Sequence, residues 1–312
     1  MKKEMIGLYK AIYGDEVRVP IYTFGKGKNV LYIQGGVHGG EVTYFILHEL
    51  VNYLKSIEEK LDGTVTVVPI CNPVSWSQRV YYYTAGKFDL YKGKDWNRSY
   101  PGSETTLSSR MSKKIFEIAS KHECVIDLHT ARNSKPYTIF MSDKSRQIVE
   151  VLGIRYNYFI DSKNKDNSVF HGTLNHAVAS QGILETTIEC GSHDDFDIES
   201  VKMVFEALKK LVHLKCLEEK NVDVEATMYV FDKTTTVFSQ VSGFAKYNVM
   251  PQTKVKNGDE IMQIIPSDDI TQSVSIISPM DGVLFELPKT HIVWEGDELF
   301  KIIPSESIKI LE

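Results

Sequence analysis

Apolar and polar positions alternate along most of this chain in two rhythms, one of strands and one of helices. Val30-Leu31-Tyr32-Ile33 is a short apolar run of the kind a buried strand makes, and Val42, Phe45, Ile46, Leu50, Tyr53 and Leu54 then recur at helical spacing. Before them, residues 6–24 alternate around Gly14-Asp15 as a β-hairpin. After them, residues 64–70 predict another strand, ending at Asn72-Pro73. Leu107, Met111, Ile115, Ile118 and Ala119 mark a helix that leads into a second short, mostly apolar run, residues 123–129, ending in His129. A strand over 137–141, a short helix near 145–152 and a helix over 173–179, with Gly182 placed to end it, come next. Residues 183–189 alternate as a strand that closes on Glu189-Cys190-Gly191, and 198–217 form a last long amphipathic helix. Strands and helices taking turns in this way predict an α/β fold.

The pattern changes after about residue 222. The remainder of the chain is strand-like with Gly-Asp turns, and it repeats itself. Val241-Ser242-Gly243-Phe244 followed by residues 255–264 parallels Pro279-Met280-Asp281-Gly282-Val283 followed by 293–302. Two such halves predict a small β-barrel or flattened sandwich of the biotinyl/lipoyl-carrier type. The segment joining them, 266–272, lacks the lysine a carrier needs, so its role is structural, shaping a cleft or an oligomer contact. The expected organisation is therefore residues 1–222 as one domain and 223–312 as a second.

Composition narrows the field. With 42% hydrophobic and 25% charged residues over 312 positions, the chain can bury a full core and is not disordered. A net charge of -5 does not favour nucleic acid or an anionic membrane surface. The first seven residues lack the apolar core of a signal peptide, and no uncharged run approaches membrane-spanning length. Cys71, Cys124, Cys190 and Cys216 lie far apart with no C-x-x-C spacing, which suits free thiols in a reducing cytoplasm.

Candidate chemistry begins at Gln34-Gly35-Gly36-Val37-His38-Gly39-Gly40-Glu41, a glycine-rich turn between a strand's C-terminal end and a helix. In open α/β sheets ligand sites collect there. An imidazole and a carboxylate three residues apart on such a turn can close on one small cation. If the strand ending in His129 lies parallel in the same sheet, that ring emerges at the same edge as His38 and Glu41. Two His and one Glu, with one position open to water, form the ligand set of catalytic rather than structural zinc. Glu189 arrives at that edge too, provided its strand runs parallel to theirs. Residues 72–102 show little periodicity and many polar aromatics, including Trp76 and Trp96, and long loops of this kind in compact domains are functional or disordered. The segment carries Arg79, Lys92, Lys94, Asn97 and Arg98, several of them cationic groups that make sense if the ligand is an anion. Other hydrolytic chemistry finds no support: there is no G-x-S-x-G elbow, and His48-Glu49 is not followed by a histidine at Asn52. No P-loop or dinucleotide fingerprint is present.

Taken together, Gly-x-His-Gly-x-Glu at 36–41, Asn72-Pro73, Asn97-Arg98-Ser99-Tyr100-Pro101-Gly102, Asp127-Leu128-His129-Thr130 and Ile188-Glu189-Cys190-Gly191 resemble the aspartoacylase and succinylglutamate desuccinylase family, relatives of the zinc carboxypeptidases. They come in the family's order, and the repeated C-terminal segment matches as well. The resemblance implies a zinc-carboxypeptidase-like mixed sheet flanked by helices, with a small C-terminal all-β barrel or sandwich. It implies a zinc-dependent hydrolase that cuts an amide, one Zn2+ per chain held by His38, Glu41 and His129, with Glu189 as general base. Asn97 and Arg98 match the pair that holds a substrate carboxylate, and an arginine fork suits that task. Asp127 matches a position behind the metal ligands, on the same strand face as His129. Arg79 stands where the family often has an arginine for the oxyanion, although the loop from Tyr81 to Lys94 departs from the shorter family pattern, and Arg132 is the alternative group to face the substrate. The expected partner is a small N-acyl amino acid or similar anion, with a homo-oligomer compatible. A metallocarboxypeptidase acting on peptides and a non-catalytic binding protein on the same fold are the competing readings.

Overall fold

The computed structural model describes residues 1–81, 83–163, 169–193, 195–217 and 227–311. At its centre, strands Gly63–Val68, Asn29–Gln34, Cys124–Ala131 and Leu184–Ser192 run side by side and parallel. All four therefore end at one edge, as the alternation of strands and helices requires. Around them the sheet grows to ten strands and becomes mixed. On one side Glu16–Lys26 pairs antiparallel to Gly63–Val68, with Lys2–Lys10 outside it as the expected hairpin. On the other side Tyr137–Phe140 runs antiparallel to Leu184–Ser192, and Tyr156–Phe159, Met228–Phe231 and Lys309–Leu311 come after it in that order.

Helices cover both faces. Alternate residues Leu31, Ile33, Ile126 and Leu128 pack against Ile46, Leu47, Leu50 and Leu54 of helix Thr43–Ile57 and against Val204, Leu208 and Leu211 of helix Ile198–Cys216. The intervening residues Tyr32 and Val125 face Met111, Ile115 and Ala119 of helix Leu107–Ala119 and Leu174 and Val178 of helix Leu174–Ala179. A strand buried on both sides reads as a near-continuous apolar run, as residues 30–33 do, whereas Asp127 breaks the run that ends in His129. No described helix is long and apolar enough to cross a membrane, and all four cysteines are buried and unpaired.

One strand of the sheet had no sequence expectation, and one segment outside the sheet departs from the expected loop. Tyr156–Phe159 is four residues long, too short to show a period. Residues 72–102, expected as loop, hold a short helix Pro73–Ser77 capped by the Asn72 side chain, then two miniature ribbons, Arg79–Val80 with Tyr83–Thr84 and Phe88–Asp89 with Lys94–Asp95. Gly39 and Gly86 let the ribbons clasp the His38 turn: Gly39 N–H donates to Gly86 O at 3.3 Å, and a Cβ on Gly86 would meet the Gly39 backbone at 2.5 Å.

The expected boundary at 222/223 falls among residues 218–226, outside the described ones. Beyond it the repeat forms two four-stranded sheets, Thr235–Phe238, Glu298–Pro304, Gly282–Glu286 and Lys254–Val255 in one, Val274–Ile277, Glu260–Ile265, Gly243–Tyr247 and Ile292–Val293 in the other. Each copy lends its short strand to the other: Lys254–Val255 pairs with Gly282–Glu286, and Ile292–Val293 with Gly243–Tyr247. Their shared core is Val255, Ile261, Ile264, Val293, Leu299 and Ile302.

Candidate metal centre

The turn after Asn29–Gln34 is strapped to the end of the neighbouring strand. Gly35 N–H donates to Val68 O at 3.1 Å, Cys71 N–H to Gly35 O at 3.0 Å and Asn72 N–H to Gly36 O at 3.1 Å. Gly36 takes a left-handed φ of 68°, and a side chain there would press on Pro69 O at 2.9 Å, so glycine is required. The Asn72 amide and the Trp76 indole donate to Val37 O and Gly36 O, fixing the turn that presents His38 and Glu41.

His129 arrives from the adjacent strand, as the parallel register predicts. His38 Nδ1 lies 3.1 Å from Glu41 Oε1, and His129 Nδ1 lies 3.3 Å from both. All three residues are buried. The opposite nitrogen of each ring faces a carboxylate: His38 Nε2 is 3.0 Å from Asp95 Oδ1, and His129 Nε2 is 2.9 Å from Asp127 Oδ2. An imidazole whose Nε2–H is given to a carboxylate presents a bare lone pair at Nδ1. Two such lone pairs and a carboxylate oxygen thus converge on one point, an arrangement that only a positive charge settles.

The donor set fits zinc. Ligands about 2.0–2.2 Å from a tetrahedral ion lie roughly 3.3–3.5 Å from one another, close to the spacing found. Carboxylates behind ligand histidines are the usual means of fixing tautomer and ring orientation. The second Glu41 oxygen, Oε2, is buried without a partner among the described residues. Electrostatics favour positive charge at this point. Burial alone would raise the Glu41 pKa, but the His129 and His38 rings outweigh it and hold the carboxyl below the usual carboxylate range. Burial likewise opposes charge on His129, yet Asp127 and Glu41 raise it well above an ordinary histidine.

Glu189 is the register partner of His129 on one side and of Tyr137 on the other, so it stands on the same face as the ligand ring. Its Oε2 is buried without a partner among the described residues. Burial pushes its pKa up to about 7, His129 and Lys87 opposing and the Glu41 and Glu286 carboxylates adding. A carboxyl poised there can both take and return a proton near neutral pH.

The remaining expected residues divide. Asn97 is buried against His129, its Nδ2 3.1 Å from Nε2 and its Oδ1 accepting from Leu174 N–H at 3.3 Å. Arg98 is next to it, donating to Asn97 O at 2.7 Å and 3.9 Å from Asp95 Oδ2. Asp127 is at 0% exposure behind His129, as expected. Arg132 donates through Nε to Glu286 Oε1 at 3.0 Å and pairs with Glu298 at 3.0 Å, so its guanidinium is engaged by the C-terminal segment. Arg79 is exposed in the outer ribbon opposite Thr84, and among the described residues no hydrogen bond or ion pair joins it to the cluster. Lys87, besides Arg98, is brought close, 3.2 Å from Asp95 Oδ2.

Sequence reasoning missed Asp95 and Gln34. Asp95 sits among Lys92, Lys94 and Arg98 and reads there as one charge of a solvated loop. Its only signal was its place two residues before Asn97. Gln34 stands at the edge of the turn, where a polar residue closing a buried apolar run calls for a partner.

Comparison with known proteins gives a consistent result. None of the curated proteins matches the chain. Among solved structures, a succinylglutamate desuccinylase/aspartoacylase family protein from Shewanella amazonensis is 20% identical with a TM-score of 0.87, each chain covered in full at 100%. The product-bound ectoine utilization protein EutE (DoeB) from Ruegeria pomeroyi is 17% identical with a TM-score of 0.80, covering 96% of this chain and 94% of that one. A succinylglutamate desuccinylase/aspartoacylase from Rhodobacter sphaeroides is 18% identical with a TM-score of 0.79, over 99% and 96%. These likenesses establish the fold. The succinylglutamate desuccinylase/aspartoacylase catalytic domain, a hydrolase family, matches residues 27–214, a span that contains His38, Glu41, Asp95, His129 and Glu189, and the chain belongs to that family.

Proposed function

We propose that this protein is a zinc-dependent amidohydrolase that removes the acyl group from a small N-acyl amino acid or related carboxylate, with one Zn2+ held by His38, Glu41 and His129. The observation that carries the reading is the convergence of both Nδ1 atoms on Glu41 Oε1 while each Nε2 is held by its own carboxylate. Zinc in such a site acidifies water and polarises a carbonyl. Glu189, with its carboxyl near 7, takes the proton of the attacking water and delivers it to the leaving nitrogen. Arg98 presents a partly exposed guanidinium beside the site and binds the substrate carboxylate, with Asn97 setting the wall next to His129. For charge developing on the carbonyl oxygen the geometry favours Lys87 over Arg79, and Arg132 serves to tie the C-terminal segment to the mouth rather than to hold substrate. Small acylated carboxylates fit the family's own description, which names desuccinylation of succinylglutamate. Four buried unpaired thiols suit a reducing cytoplasm.

The test is a screen of N-acetyl and N-succinyl amino acids and of short peptides, with metal analysis of the purified protein, for wild type and Glu189→Gln. One zinc per chain is expected in both, with hydrolysis lost by about 10²-fold or more in the variant. Release of C-terminal residues from the peptides, with the acyl amino acids left intact, would replace the deacylase with a carboxypeptidase. Metal-free wild type without hydrolysis would leave a binding protein.

A further inference from the structure

Behind His129, the face of the sheet that packs on helix Leu107–Ala119 carries a connected line of buried polar side chains. Tyr32, Gln34 and Asp127 are each at 0% exposure. Tyr32 Oη donates to Gln34 Oε1 at 2.9 Å, Gln34 Nε2 donates to Asp127 Oδ1 at 2.9 Å, and Asp127 Oδ2 faces His129 Nε2 at 2.9 Å. Val68, Met111, Ile115 and Val125 surround them. A polar chain in such a layer is costly unless every member is satisfied.

The chain also has a direction. The phenol gives its proton to the amide oxygen, so the amide must turn its N–H2 toward Asp127. A carboxylate only accepts, so Asp127 Oδ2, which at 2.9 Å is closer to His129 Nε2 than Asn97 Nδ2 is at 3.1 Å, calls for a proton on that nitrogen. That leaves Nδ1 bare and pointed at Glu41. A second amide polarity would present an oxygen to Asp127 and break the sequence of donors.

We infer that Gln34 is a positioning residue for the metal, which with Tyr32 and Asp127 fixes the proton on His129 Nε2 and turns Nδ1 toward the site. Gln34 touches no ligand atom and acts through Asp127. The inference rests on the zinc reading above.

It is tested by zinc affinity rather than turnover, measured on the full chain by competition with a fluorescent chelator. Removing groups behind a ligand histidine commonly costs about 10–100-fold in metal affinity. Gln34→Leu is expected to weaken zinc binding by about tenfold, and Gln34→Glu, which keeps the shape but places a second acceptor against Asp127, by at least as much. Ile33→Val, on the opposite face of the same strand, is the packing control and keeps wild-type affinity. Nitrogen-15 spectra of the zinc-loaded protein should show the His129 Nε2 proton in wild type and its signal displaced in Gln34→Glu. Should Gln34→Leu fail to fold, Gln34→Glu decides alone. Wild-type affinity in either folded Gln34 variant, or an equal loss in Ile33→Val, overturns the inference. A wild type that takes up no zinc removes the metal reading and the inference together, whereas zinc-binding wild type with unaffected variants removes only the inference.

Discussion

Glu185 lies on the same strand as Glu189, but enclosed in a different part of the core. It is at 0% exposure, its Oε1 accepts from Met141 N–H at 2.8 Å, and its Oε2 has no partner among the described residues. Burial pushes its pKa from 4.5 to about 8, against the opposing Met141 and Ser145 hydrogen bonds. Between those values the folded chain holds a proton that the unfolded chain has released. The stability from this group is therefore complete below about pH 4.5 and is lost as pH rises through about 8. The unfolding free energy of wild type, from urea titrations, should fall relative to Glu185→Gln between pH 5 and 8, by up to about 1.4 kcal/mol per pH unit. Parallel curves for the two proteins would place an ionised carboxylate there instead. The same logic made part of the candidate metal centre legible. Asp127 and His129 interrupt an apolar strand, and an interruption in a buried run needs a partner. Asp95 interrupts no apolar run, since Lys92, Lys94, Asn97 and Arg98 around it are polar already, and only the folded ribbon reveals that it faces His38.

At the scale of elements, long helices and central strands announce themselves because many turns or alternations report the same period. The ribbons over 79–95 cannot, since each of their strands is two residues long. They are nevertheless what carries Lys87 and Asp95 to the site, and they are held by the backbone crossing at Gly39 and Gly86. Gly86→Ala puts a methyl group 2.5 Å from backbone that has nowhere to move cheaply. Overpacking of this kind costs about 1–3 kcal/mol. Here the ribbon is expected to lift, so that zinc affinity falls together with the melting temperature. A variant that melts lower with unchanged zinc affinity would show that the ribbon does not set the His38 ring. Deeper in the sheet, the Tyr32, Gln34 and Asp127 line spans neighbouring strands, and no reading of one strand at a time can assemble it.

For the molecule as a whole, the repeat predicted the two small sheets, and the halves exchange equivalent short strands. The repeat did not predict where the C-terminal segment would attach. Asn133 and Leu287 form a bridge, and Glu286 gathers Arg132 and Lys301. Met228–Phe231 and Lys309–Leu311, at either end of that segment, are strands of the large sheet. Tyr156 and Tyr158 stack on Tyr229 and Phe231 there, with ring centroids 5.5 and 4.8 Å apart. The hydrolytic half thus borrows its outermost rows from the tail. A gene cut at codon 222 would strip Tyr156–Phe159 of its neighbour and leave aromatic rings and unpaired amides facing water, the template on which chains stack edge to edge. Light scattering on such a product should find soluble aggregates rather than monomer, and a well-behaved monomer that retains zinc would mean the borrowed rows are dispensable.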